Sequence, residues 1–518
     1  MSGAPSSGAR AAPRVAALLV ALAVFAGGLA LFGERSSFPF YYHPDEPGKV
    51  LQLVHKRKNF HHPMLMLTTA DVARRVLLRG EAKEDPQQVV EVARRVVAAF
   101  AAGAAALLAL LAARIHGVWA GVAAGLLVVA NPLLYELAHY AKEDPAFAFG
   151  LVAFVWAAHR FSARRDPRSL ALLGVGAGVA AAGKYVGTLF VPVAALLGAS
   201  LGAGTPRERW RRAARVAAVA AATWLVLDWW TVRSPDVLPQ SVAQELRKAF
   251  VGEHGLVKRV PHAYYVGVQQ TYGGGWVPAL ALGWLAFAAW HPAKVPLAEW
   301  LLAGSSLALV LAFSFTPKTS PRYYLPIAVA LCYLSAAGAF HLAARAGARS
   351  SRARFGATAL ATLLCVVVAW QQWGYTEALR RAVLRDDRAE LRSVVAALPA
   401  ASVVAQDEAA ALPEPGRRWE HEGRERLPQT VLGARHAADL GSLAELRARG
   451  VTHLALCEKT YGRFLATDRA VRDPQSVAAR REFYRTALAQ GRLVREWPPG
   501  PVSHLQPGLV LLDVSALE

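Results

Sequence analysis

Cysteine is nearly absent. Only Cys332, Cys365 and Cys457 occur in 518 residues, and no two have CxxC spacing. That excludes a disulfide framework and a thiolate zinc site. A P-loop is also missing. The Gly176, Gly178 and Gly183 run lies inside an apolar stretch and reads as helix packing. Acidic residues are scarce, 37 against 58 Lys+Arg, for a net charge of +21. In a water-soluble chain that balance would suggest nucleic acid. No basic face with interleaved aromatics lies outside the apolar part, so nucleic acid is set aside as a partner.

Residues 374–518 lack long apolar runs. They hold 21 basic and 19 acidic residues, so nearly all the net charge sits before them. Residues 14–373 are the reverse. Ala, Leu and Val-rich runs recur there, several approaching or exceeding the roughly 18–20 residues that cross about 30 Å of hydrocarbon. They show no period-two alternation, which argues for helices over a barrel. The basic start before Val15–Leu31 lacks a small-residue cleavage site and reads as a retained first helix.

Eleven spans are expected, near 14–33, 93–113, 118–134, 145–160, 169–183, 186–202, 213–230, 276–290, 297–315, 323–341 and 355–373. The connectors His159–Arg168, Arg207–Arg215 and Arg345–Arg354 carry four, five and four arginines. By the positive-inside rule they face the cytoplasm with the N-terminus. The loop 34–92 and the tail then face outward, although that loop is itself basic. Within it, Leu65, Leu67, Val72, Val76 and Leu77 have helical spacing, as in a helix lying along the membrane interface. The expected division is a membrane domain, 1–373, and a soluble extracytoplasmic α/β domain, 374–518. In the latter Ala389–Leu398, Leu443–Arg449 and Glu482–Ala489 read as helices, and Ala401–Val404, Thr452–Leu456 and Leu509–Asp513 as strands.

Three outer segments concentrate ionisable groups. The first is Tyr41-Tyr42-His43-Pro44-Asp45-Glu46-Pro47. A carboxylate partly desolvated at a membrane surface gains basicity; the plain structural alternative is an acidic helix cap. The second, Tyr135–Pro145, includes Glu143 and Asp144, and charge at a membrane edge is costly unless used or paired. The third is cationic: Lys184 between two apolar runs, then Lys318, Arg322 and Tyr323, with His254 and His262 in the loop after the seventh span. These could hold a phosphate leaving group; the alternatives are snorkelling and headgroup contact. His43, His55, His61 and His62 match no compact metal spacing and read as interfacial. No cofactor is assigned, and a divalent ion at Asp45 or Asp144 stays open.

The order of these motifs resembles the polyprenyl-phosphate-dependent glycosyltransferases of the GT-C fold, the superfamily of protein O-mannosyltransferases and the aminoarabinose transferase, along nearly the whole chain. Asp45 and Glu46 in "YYHPDEPGKV" match the family's Asp-Glu pair. "FHHPMLML" resembles its His-Pro-Pro-Leu stretch, with Met64 at the second proline. "HYAKEDPAFAF" places Asp144 at the second acidic motif. "GVAAAGKYVGTLF" is similar to the Thr-Lys-Tyr segment, with Gly183 for Thr and Lys184 retained. "SPRYYLPIAVAL" resembles the Arg-Tyr-Leu-Leu-Pro segment, and "DDRAELRSVVAALPAASVVAQDE" resembles the opening of the outer domain.

The resemblance implies a multi-pass enzyme of the bacterial inner membrane with an extracytoplasmic site. It would move a sugar from a polyprenyl-phosphate donor to a glycolipid, glycan or protein. Asp45 would be the general base and Glu46 would orient it. Asp144 would position substrate, and Lys184, Arg322 and Lys318 would bind the donor phosphate. His43, Glu143, His254, His262 and Tyr323 would position substrate. Two rival readings remain, a transporter or lipid-carrier flippase and a non-catalytic assembly protein.

Overall fold

The computed structural model describes residues 7–37, 43, 45–55, 58–202, 204–251, 261–314, 320–414, 427–466 and 473–516. The chain divides into two compact units. One comprises Met1–Phe38, Lys49–Arg247 and Val260–Thr376; the other comprises Pro39–Gly48, Lys248–Arg259 and Glu377–Glu518.

The first unit is helical, and the apolar runs explain why. The helix Pro86–His116 is Ala and Leu-rich, with strong helix formers throughout. Asp85 caps its start by accepting from the Gln88 amide at 3.0 Å, Pro86 occupies the first turn, and Gly117 at φ 99° ends it. Ser7–Gly33 packs along this helix, and Asp144–Arg164 packs along Pro167–Gly183. Glycine permits the second contact. A Cβ on Gly176 would lie 2.8 Å from Phe154 Cα, and one on Gly183 would lie 2.8 Å from Phe147 Cα. The expected packing role of this glycine run is therefore observed, since any side chain would push the helices apart.

Six helices among the described residues are long and apolar enough to cross a membrane: Arg14–Gly33, Pro86–His116, Asp144–Arg164, Leu297–Ser314, Pro321–Arg349 and the one beginning at Ser351. A seventh counts if Val118–Val129 and Pro132–Ala138, bent by 60°, form one span. That is fewer than the eleven expected. The other four runs do form helices: Pro167–Gly183, Phe190–Ser200 after a short 3-10 turn, Pro206–Leu227 and Trp276–Trp290. They fall short because the chain breaks at Lys184 between the first two, arginines fill the first turns of Pro206–Leu227, and Trp276–Trp290 has only 15 residues. The helix expected in this loop is also present, at Leu65–Leu77. Its Leu65 and Leu67 are buried, while Val72, Val76 and Leu77 are exposed.

The second unit contains a five-stranded sheet. Its strands are β1 (Val403–Asp407), β2 (Thr430–Ala434), β3 (His453–Cys457), β4 (Arg492–Trp497) and β5 (Leu509–Asp513), in the order β2-β1-β3-β5-β4. β1 pairs in parallel with β2 and β3, whereas β5 runs antiparallel to β3 and β4. Apolar side chains cover both faces, Leu454 and Leu512 on one and Val404 and Leu511 on the other. The buried Asp407 carboxylate is raised to about 6 by burial, although it accepts from the Tyr484 hydroxyl and the Ala437 and Cys457 amides. The sheet gives this region the α/β character expected of residues 374–518, with β2 and β4 as additional strands, while the unit also takes in Pro39–Gly48 and Lys248–Arg259, which the expected division places within residues 1–373.

Candidate active site

Proline and asparagine build the acidic corner of the membrane unit. Pro132 cannot donate to the helix that ends at Val129, and Asn131 starts a new one by accepting from the Leu134 amide at 3.0 Å. That short helix ends at Ala138. Asp144 then opens the long helix that follows, where a carboxylate suits the positive helix N-terminus.

The adjacent carboxylates face different partners. Glu143 meets His62 Nε2 at 3.0 Å, Lys49 Nζ at 3.2 Å and Lys142 Nζ at 3.9 Å. Burial raises the Glu143 pKa, but His62, Lys49 and Lys142 outweigh it and hold the carboxyl well below the usual range. Asp144 Oδ1 accepts from Lys184 Nζ at 2.6 Å, while its Oδ2 is buried without a hydrogen-bond partner among the described residues. Lys184 also lies 4.6 Å above the Tyr323 ring, and the Arg322 guanidinium lies 5.5 Å from the same ring. Asp144, Lys184, Arg322 and Tyr323 therefore form one cluster. Every member sits at a helix end or in a short 3-10 turn.

His62 is drawn into this corner, whereas its spacing alone suggested an interfacial role. Burial pushes it down to about 4, with Lys49 and Lys142 adding to the effect and Glu143 opposing it. The ring is neutral at neutral pH. Its folded pKa lies below the unfolded value, so the unfolded chain binds the proton first. Stability should fall as pH drops from about 6.5 to 4. His62→Gln should flatten that part of a thermal-stability profile, and an unchanged slope would contradict the assignment.

In the second unit, the strip His43–Gly48 forms its own clasp. The Asp45 amide donates to His43 Nδ1 at 3.1 Å, and the Glu46 amide donates to the His43 carbonyl at 2.9 Å. The His43 amide donates back to Glu46 Oε2 at 3.2 Å, as in a capping box. Glu46 is fully buried at the start of the helix Glu46–Val54, while Asp45 is partly exposed. The His43 ring contacts His504 of the C-terminal domain, with centroids 4.2 Å apart, and Lys459 Nζ reaches His504 Nδ1 at 3.3 Å.

His254 and Lys318 lie outside the described residues. His262 lies on the helix Pro261–Gly273, with its side chain outside the description. Three participants were not anticipated from sequence: Lys49, His62 as a carboxylate partner, and Asp228. Asp228 is buried and accepts from the Met64 amide, pinning "FHHPMLML" to the end of Pro206–Leu227. A charged residue closing an apolar run was the available signal for Asp228.

Residues 87–230, which include Glu143, Asp144 and Lys184, match the family model for dolichyl-phosphate-mannose-protein mannosyltransferase. The oligosaccharyltransferase of Archaeoglobus fulgidus, in complex with Zn and sulfate, superposes with TM-score 0.50 at 12% identity, covering 93% of this chain and 72% of that one. The fold is that of the GT-C glycosyltransferases. ArnT from Cupriavidus metallidurans bound to undecaprenyl phosphate gives TM-score 0.49 at 14% identity over 99% of both chains. No curated protein matches the chain.

Proposed function

We propose that the chain transfers a sugar from a polyprenyl-phosphate carrier to an acceptor on the extracytoplasmic face of a bacterial cell membrane. One observation carries this reading: the segment similar to the mannosyltransferases holds the buried Glu143 and Asp144 together with Lys184, the cation paired to Asp144. Asp45 takes the proton of the acceptor hydroxyl or amine. The acceptor atom bonds to the anomeric carbon as the carbon–oxygen bond to the lipid phosphate breaks. The phosphate leaves on the opposite face, so configuration inverts. A retaining route would need a second carboxylate as nucleophile. Lys184 and Arg322, with Lys318, neutralise the departing phosphate. Glu46 holds the loop of Asp45 through the His43 amide. His43, Glu143, His254, His262 and Tyr323 are the candidates for orienting the substrates.

The donor is already activated, so the transfer needs no nucleotide. Charge gathered at helix ends supports transfer over transport, because a transporter would hold its substrate near mid-depth. A glycolipid, a glycan or a protein would each supply a suitable nucleophile. The experiment is mass analysis of envelope lipids, glycans and proteins from cells with and without the gene. The expected result is loss of one sugar modification and its return on complementation. Identical profiles would overturn the reading.

A further inference from the structure

A second polar cluster lies at the other end of the membrane unit. His116 closes the helix Pro86–His116, Glu299 sits in the first turn of Leu297–Ser314, and His341 lies near the end of Leu325–Ala346. The helix of His341 runs into the connector Arg345–Arg354, and Arg114, two residues before His116, is within electrostatic reach of Arg160 and Arg164 at the end of Asp144–Arg164. Along Asp144–Arg164, that end is separated from Asp144 by about 30 Å of helix at 1.5 Å per residue. The cluster is therefore independent of the proposed transfer site.

Glu299 is completely buried. Its Oε1 lies 2.7 Å from His116 Nε2 and its Oε2 lies 2.9 Å from His341 Nε2. The Trp284 indole donates to Oε2 at 2.7 Å. The rings are held in place from both sides. His341 stacks on Phe287 at 4.1 Å, and His116 meets His341 edge-on at 4.6 Å. One nitrogen from each histidine and one carboxylate oxygen lie within 4.8 Å of one another.

Two neutral imidazoles donating to one carboxylate would leave a whole negative charge buried among apolar helices, which is costly. A divalent cation compensates that charge by drawing on the two imidazole nitrogens and a carboxylate oxygen, and a hydroxide in the fourth position would balance the one positive charge left. Zinc bonds to nitrogen and oxygen are about 2.0–2.2 Å, so tetrahedral ligand atoms stand about 3.3 Å apart. The nearest nitrogen–oxygen separations, His116 Nε2 to Oε1 and His341 Nε2 to Oε2, are each within about 0.6 Å of that spacing, and a set of both nitrogens with a single carboxylate oxygen falls within 4.8 Å. The Trp284 N–H supplies the outer contact that orients a ligating carboxylate. Two imidazoles and a carboxylate suit zinc better than calcium or magnesium, which prefer oxygen ligands.

We propose that His116, Glu299 and His341 bind one Zn2+ that ties these three helices together, with hydroxide in the fourth position. The test uses the full-length protein in detergent, stripped with chelator and titrated with Co2+ as a spectroscopic stand-in. One equivalent should bind with tetrahedral d–d absorption and be displaced by Zn2+. The double variant His116→Asn/His341→Asn should lose this equivalent, while His62→Asn keeps it. Trp284→Phe should weaken affinity roughly tenfold or more. Pulsed EPR on the Cu2+-loaded wild type counts coordinated imidazoles without any variant. Two imidazoles support the site. Any other count, no Co2+ uptake, or uptake retained by a folded double variant overturns it.

Discussion

Replacing Asp45 with asparagine should lower sugar transfer by roughly 10²- to 10⁴-fold, the range over which a positioned general base contributes. Donor affinity should be nearly unchanged. The substitution keeps the shape of the side chain, and two hydrogen bonds of the backbone clasp run through the His43 ring and the Glu46 carboxylate. The His43 ring takes the Asp45 amide, and Glu46 takes the His43 amide. The carboxamide of Asp45→Asn would therefore sit where the carboxylate sits but could not take a proton. Glu46→Gln should behave differently. It keeps one hydrogen-bond acceptor for the His43 amide, so a smaller loss is expected. Full transfer by a well-folded Asp45→Asn variant would remove Asp45 from the chemistry.

The second large effect is expected at Lys184. Lys184→Met leaves Asp144 as a buried carboxylate without its cation, since the side chains are only 12% and 2% exposed. Breaking one partner of such a pair costs about 3–5 kcal/mol. The double variant Lys184→Met/Asp144→Asn removes both charges and should recover most of that stability. Transfer should not recover with it, because the amine proposed to neutralise the leaving phosphate is gone. Losing one such electrostatic contact costs about 10²–10³ in rate. Thermal unfolding and turnover measured on the wild type, both single variants and the double variant separate the two roles. If turnover recovers along with stability, the pair is only structural.

Much of this architecture was legible in the sequence because apolar run length reports membrane helices directly. Each of the eleven expected runs forms a helix, and strand β5 lies where its hydrophobic pattern predicts it. The full-length count was not legible. Asn131-Pro132 bends one run by 60°, and a run length does not register a bend. Strand β2 carries Gly433, and β4 is an edge strand with most of its side chains exposed, so neither shows a clear apolar period.

The site divides in the same way. Asp144, Lys184, Arg322 and Tyr323 stood out as charges or rings beside apolar runs, and they meet. Lys49 did not stand out, because its signal is only one helical turn after Glu46 within a loop already rich in lysine. His62 looked interfacial because sequence spacing does not reveal a partner as distant in the chain as Glu143. His116, Glu299 and His341 come from three separate helices, so their convergence depends on packing that no local pattern encodes.

The most direct measurement is reconstituted transfer with purified full-length protein. Synthetic polyprenyl-phosphate sugars are supplied with an envelope acceptor fraction, and both sugar incorporation and free polyprenyl phosphate are counted. The account predicts that one lipid-linked sugar is consumed, with one polyprenyl phosphate released per sugar transferred and inverted configuration in the product. Transfer from a nucleotide sugar, with no lipid phosphate released from any carrier, would contradict it.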